Sequence, residues 1–237
     1  MGQHYGNFDN KVVGIVRVAE RVHSRGLSTN TQTYTFSRAP SLGEVVVLSS
    51  WWDGNYTINT PSGFTPIVSN ESGSEYPEGE TCYKIASGSE GTTFTVTCAS
   101  SDDCAGVGLI LKANKIITTV SVGNTAFADG PSSLNSSIAA DSPTTVASNT
   151  GRLKLYFLTG RQQPDYIQDP TPTFVNASGW IYENGNNPAG STNDTTGIDN
   201  MDWAYKVLKH GSTDATEQIT TNDTGRQGHH IISLTFG

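Results

Sequence analysis

The sequence predicts an all-β protein made of two tandem antiparallel β-sandwiches, of jelly-roll or immunoglobulin-like type. Three observations carry this. First, apolar and polar residues alternate along short runs. In "TTFTVTC", Phe94, Val96 and Cys98 fall on one face and Thr93, Thr95 and Thr97 on the other, the pattern of a half-buried strand. Second, clusters of Gly, Pro, Asn and Asp separate these runs at short intervals, as in a sandwich. Third, an ordered series of matches relates the first part of the chain to the second. "VVGIVRV" from Val12 matches "IITTVSV" from Ile116, 104 residues on. "GEVVVLSSW" from Gly43 matches "GRLKLYFLT" from Gly151, 108 residues on. "PSGFTPI" around Gly63 matches "ASGWIYE" around Gly179, 116 residues on, and "YKI" at Tyr83 matches "YKV" at Tyr205, 122 residues on. The order is preserved and the offset only grows, which is the product of loop insertion after duplication. The competing reading is one large jelly roll whose strands recur by composition.

Taken in order, residues 1–10 are polar and aperiodic and read as an N-terminal arm that orders on binding. Residues 11–114 form the first sandwich and 115–237 the second, with the boundary near "KANKI", Lys112–Ile116. Val12–Val18 reads as a strand, and "RVAERVHSRG", Arg17–Gly26, is the one stretch with helical periodicity. The Gly of "PSGF" and "ASGW" supplies positive φ in a turn, after which Phe64 or Trp180 enters the core. In "YKI" and "YKV" the Tyr and the aliphatic residue share one face and the Lys takes the other. Tyr83–Lys112 reads as three short β segments joined by two polar turns, the second being "ASSDD" between Cys98 and Cys104. Gly106 and Gly108 imply close approach of the partner sheet. In the second half Leu153, Leu155 and Phe157 share a face, as do His230, Ile232, Leu234 and Phe236, and Trp203 joins Tyr205 in the core.

Composition excludes several functions. The 14 basic residues face 22 acidic ones, for a net charge of −8, and no run of Lys or Arg stands out. Nucleic-acid binding needs clustered cations and is set aside. No segment reaches 18 apolar residues, so no membrane span is expected, and the polar start "MGQHYGNFDN" predicts no signal peptide. Cys82, Cys98 and Cys104 are too few, and odd in number, for a disulfide framework; a Cys98–Cys104 bridge and three buried thiols both remain open.

Candidate site residues are few. Trp51 and Trp52 end the strand from Glu44, before the turn "DGN". Neighbours on a strand face opposite ways, so at most one joins the core. The other, with Asp53 and Asn55, is the candidate contact for a partner protein or a glycan. His229 and His230 diverge and make no metal site. Asp102 and Asp103 are too few for calcium. No "GxSxG" and no Cys–His pairing is visible, so no catalytic residue and no cofactor is predicted.

The series "GEVVVL", "TPSGF", "CYKIASGSEGTTFTV", "AGVGLIL", with its weaker second version "GRLKLY", "NASGW", "AYKVLKHGSTDATEQI", "GHHIISL", resembles a β-sandwich module of tailed-bacteriophage virion proteins, found in capsid-surface, fibre, tail and baseplate positions. The resemblance implies a virion location, a structural and non-enzymatic role, and other virion proteins as partners. It leaves a homo-oligomer open. A carbohydrate-binding adhesin that contacts host-surface glycan is the alternative.

Overall fold

The computed structural model describes residues 16–54, 56–70, 77–130, 135–147, 150–162, 172–174, 178–183, 197–221 and 226–237. The arm 1–10 and Asn55 lie outside these. The first half holds β1 (Arg17–Thr35), β2 (Val45–Asp53), β3 (Ile58–Asn59), β4 (Thr65–Asn70), β5 (Pro77–Ile85) and β6 (Thr93–Lys112). The second holds β7 (Val120–Gly130), β8 (Asn135–Ile138), β9 (Gly151–Gln162), β10 (Pro172–Phe174), β11 (Trp180–Glu183), β12 (Gly197–Leu208), β13 (Glu217–Thr221) and β14 (Arg226–Phe236). No helix occurs among the described residues. The all-β expectation holds.

Every ladder among the described residues is antiparallel and joins strands of the same half. The first sheet runs β1-β6-β2-β5-β4, with β3 added to β6; the second runs β7-β14-β9-β12-β11. These are the same order. They also share a register. One row across the first sheet reads Arg21, Leu109, Val47, Tyr83, Thr65. Its counterpart reads Thr125, Ile232, Leu155, Tyr205, Ile181. On β1/β7, β2/β9, β5/β12 and β4/β11 the paired positions lie 104, 108, 122 and 116 residues apart, the separations of the sequence matches. On β6/β14 the separation is 123.

The correspondence extends to a smaller layer over each sheet. In the second half this is β10-β13-β8. In the first half β3 and the adjoining ends of β6 and β1 occupy the same places. Gln32 pairs with Val96 where Ser136 pairs with Ile219, again 104 and 123 residues apart. The first half keeps β1 and β6 continuous through both layers. They bend together where the register shifts between Gly26, Thr29 and Thr31 and Ser28 takes a φ of 50°. This corrects two expectations. "ASSDD" is no hairpin loop but the bend of β6, paired to β1 on either side. Arg17–Gly26 is strand, not helix: a shift between Val18 and Glu20 turns the chain over, so Val18 packs on one side of the sheet and Val22 on the other. Read without that bulge, their spacing of four mimics a helix face.

The two five-stranded sheets lie face to face, with the small layers outside them. Their shared core is the largest apolar cluster: Val45, Val47, Trp51, Val107, Leu109 and Leu111 from one sheet meet Leu153, Leu155, Phe157, Trp203, Ile232 and Leu234 from the other. β6 packs on β12 and β5 on β14, while β2 faces β9. Exchanging the halves turns these three contacts into one another, as in the isologous interface of a twofold dimer. Two smaller clusters fill the space under the outer layers, one around Tyr34, Phe36, Trp52 and Phe94, the other around Tyr156, Ile219 and Ile231.

Phe94, Val96, Val107, Leu109 and the second-half residues Leu153, Leu155, Phe157, Ile232 and Leu234 are buried, while Thr93, Thr95 and Thr97 are exposed. Phe64, Tyr83 and Trp180 are half-buried rather than fully enclosed. Gly63 and Gly179 hold φ of 78° and 85° in equivalent turns. A Cβ at either would meet the Lys of the "YK" strand, Lys84 at 3.5 Å or Lys206 at 3.6 Å, so the turn motif seats on the strand motif in both halves. Gly106 and Gly108 admit Tyr34 and Phe36, which come from the outer end of β1 and the residue after it rather than from a partner sheet.

Candidate functional site

Trp51 and Trp52 are both fully buried, and Asp53 is 6% exposed. The expected exposed tryptophan is not found, because β2 is covered on both faces. Trp51 enters the core between the sheets, in a slot that Gly79 and Gly228 leave open; a Cβ at either would collide with its ring. Its indole lies 4.3 Å from the His230 ring, and its Nε1 donates to Ser49 Oγ at 3.0 Å. Thr81 donates to the same Ser49 Oγ at 3.0 Å and lies 2.9 Å from His230 Nδ1, which completes a polar thread across the interface. Trp52 faces the other way and donates from Nε1 to Thr29 O at 2.9 Å. Neither ring is a surface for stacking.

His229 and His230 diverge as expected. His229 lies 3.3 Å from the Tyr156 hydroxyl on the outer face, and both imidazoles are wholly enclosed. Burial pushes His229 down to about 4, and burial together with the neighbouring His229 depresses His230. Cys82, Cys98 and Cys104 are buried free thiols. Burial raises all three, Cys104 to about 12, which leaves them protonated and unreactive. Asp103 Oδ1 accepts from Ser28 N at 2.9 Å, so the acidic pair tightens the bend of β6. No group of three or more potential metal ligands occurs among the described residues.

The second half buries a chain of ion pairs. Lys154 is 0% exposed, with Nζ 2.6 Å from Asp214 Oδ1 and 3.8 Å from Glu217 Oε1. Arg152 binds Asp214 Oδ2 at 2.9 Å, and Lys206 binds Glu217 Oε1 at 2.7 Å. Burial alone would raise the Asp214 carboxyl; bonds from Lys154 and the Asp141 N–H outweigh it and hold the group below its usual value. By the ladder offsets, Lys154 and Glu217 stand where the first half has Val46 and Phe94. An apolar contact in one copy is an ion pair in the other.

Among the described residues the exposed aromatic rings, Phe127 and Tyr182, sit on β7 and β11, opposite edges of one sheet, and do not form a platform. Among the described residues, solvent-facing features include two open cavities of about 550 Å³, one at Arg17, Arg38 and Lys112, the other at Ser121, Ser142 and Thr235. The sequence hid the first because its cations come from three separate elements. At its edge Arg38 forks onto Glu44, at 2.6 and 3.0 Å. Burial would raise Glu44; the Arg38 bond, the Ser41 N–H and the charges of Arg38 and Lys112 lower it instead.

No family model and no curated protein matches this sequence. Two solved structures, of wild-type BuGH86 and of a variant, each in complex with neoagarooctaose, match over 93% of this chain at 10% identity with a TM-score of 0.27. The chain spans 33% of their length, and at that score the likeness says nothing of its fold or chemistry.

Proposed function

We propose that this chain is a non-enzymatic structural component of a bacteriophage virion, carried on the particle exterior as a capsid decoration, fibre or baseplate element. The observation that supports the reading is the seating of the "SG" turn on the "YK" lysine in both halves, Gly63 on Lys84 and Gly179 on Lys206. These are the motifs on which the resemblance rests, and they behave as one structural unit used twice. The role is docking: a rigid block held on other virion proteins, with the arm 1–10 as the ordering segment. The test is to delete residues 1–10 and measure the chain in purified particles. Occupancy reduced severalfold supports the reading. Absence of the intact chain from particles that package and infect normally overturns it.

A carbohydrate-binding adhesin is the second reading. It is favoured by the twin cavities, whose size suits a small ligand. Normal incorporation together with loss of host-surface binding would select it.

A further inference from the structure

The two cavities occupy the same place in their respective halves. Arg17 pairs with Lys112 on the β1–β6 ladder as Ser121 pairs with Thr235 on β7–β14. The offset of 104 that maps Arg17 to Ser121 also maps Arg38 to Ser142. Three cations in one cavity thus stand, one for one, where the other has three hydroxyls. The frame around them is shared. Ser37 N–H donates to Glu20, and Asn124 N–H donates to Asp141. This is the same link between the same two positions, with the acid moved to the other partner.

The charges of the first cavity are not balanced by its own acids. Arg17 and Lys112 lie directly opposite on the ladder, where like charges repel. Both side chains are exposed, and Arg17 has no ion-pair partner among the described residues. The carboxylate near Lys112, Glu44 Oε1 at 3.8 Å, is already taken by the Arg38 fork. A second recess, of about 210 Å³, shares Ser41 and Lys112 and adds Lys115, with Leu42 and Ile116 exposed on its wall. In a chain of net charge −8, this concentration of cations runs against composition.

We propose that the first-half cavity binds a small anionic ligand, its carboxylate, sulfate or phosphate group held between Arg17 and Lys112. The anion relieves the cross-strand repulsion and takes charge-assisted hydrogen bonds from both side chains. The second-half cavity has hydroxyls in their place, and the charges that line it, Arg152 and Asp141, pair with each other at 3.8 Å. The inference does not depend on where the chain is displayed.

The experiment is calorimetric titration of the full chain with inorganic phosphate, glucuronate and glucose, at ionic strength held constant with sodium chloride. Saturable binding of phosphate or glucuronate, with none of glucose, is expected. Phosphate as the tighter ligand identifies a free oxyanion, and glucuronate as the tighter one an acidic sugar. The double variant Arg17→Ser, Lys112→Thr writes the second-half residues into the first half. It should weaken binding about tenfold or more. Its Tm in chloride buffer without phosphate or glucuronate should equal or exceed that of the parent, since the like-charge pair is gone, so weakened binding cannot be ascribed to misfolding. Absence of saturable anion binding, or unchanged binding in the double variant, overturns the proposal.

Discussion

Trp51 fills the slot between two sheets that Gly79 and Gly228 keep open. Truncating it leaves a cavity that flanking backbone cannot close. Trp51→Ala should cost about 3–5 kcal/mol, read from the midpoint of urea unfolding. Trp52→Ala should cost a similar amount by emptying the other face of the same strand. Stabilities within 1 kcal/mol of the parent would mean the rings are not packed as described. The sequence held a signal for this double burial. "VVVLSSWWD" is a continuous run rather than an alternating one, which marks a strand covered on both faces. Reading it as half-buried left one tryptophan exposed. His229 sets a different expectation. Its folded value of about 4 lies below the ordinary 6.5, so the unfolded chain binds the extra proton. Stability is therefore full above pH 6.5 and falls as pH drops toward 4, by on the order of 3 kcal/mol from this group. His229→Gln should flatten that part of a stability–pH curve. An unchanged slope would show that other groups cause it.

Among the elements, β9 and β13 show how far the copies have diverged. Lys154 and Glu217 replace the apolar Val46 and Phe94 of the first half, and the surrounding charges satisfy them. Lys154→Val alone removes the cation from Asp214 and Glu217. It should cost about 3–5 kcal/mol, the usual penalty for half of a buried pair. Adding Glu217→Phe restores the residues of the first half, and the double change should cost clearly less than the sum of the two singles in a denaturation cycle. Strict additivity would show that the pair is not coupled. Strand register was legible in the sequence because Thr93, Thr95 and Thr97 alternate cleanly with apolar neighbours. The layer formed by the bent ends of β1 and β6 was not. A bend made by bulges leaves no Gly-Pro punctuation, and "ASSDD" looks the same whether it turns a hairpin or bends a strand.

At the scale of the whole molecule, the repeat was readable because insertions fall between strands and never within them. The four sequence offsets reappear as ladder registers without a slip. The expectation of two tandem sandwiches did not say where the main core lies. Periodicity reports that a strand face is buried, not which sheet buries it. The halves are layered, and their largest apolar cluster belongs to both. Residues 1–114 or 115–237 alone would bare the inner face of a five-stranded sheet. Each piece expressed by itself should self-associate or bind a hydrophobic dye. Mixing the two should restore one species of the parent mass by size-exclusion chromatography with light scattering. Two separately monomeric, dye-silent pieces would show that each half is self-sufficient.

The shared core also bears on synthesis. The first sheet leaves the ribosome complete while its cover is still being translated. At about 5–20 residues per second, residues 115–237 take roughly 6–25 s to follow. During that interval Val45, Val47, Trp51 and Leu109 face water or a chaperone, and on a polysome they face the same surface of a neighbouring nascent chain. Slowing translation of the second half should therefore lower the yield of soluble protein, although it leaves the finished molecule unchanged.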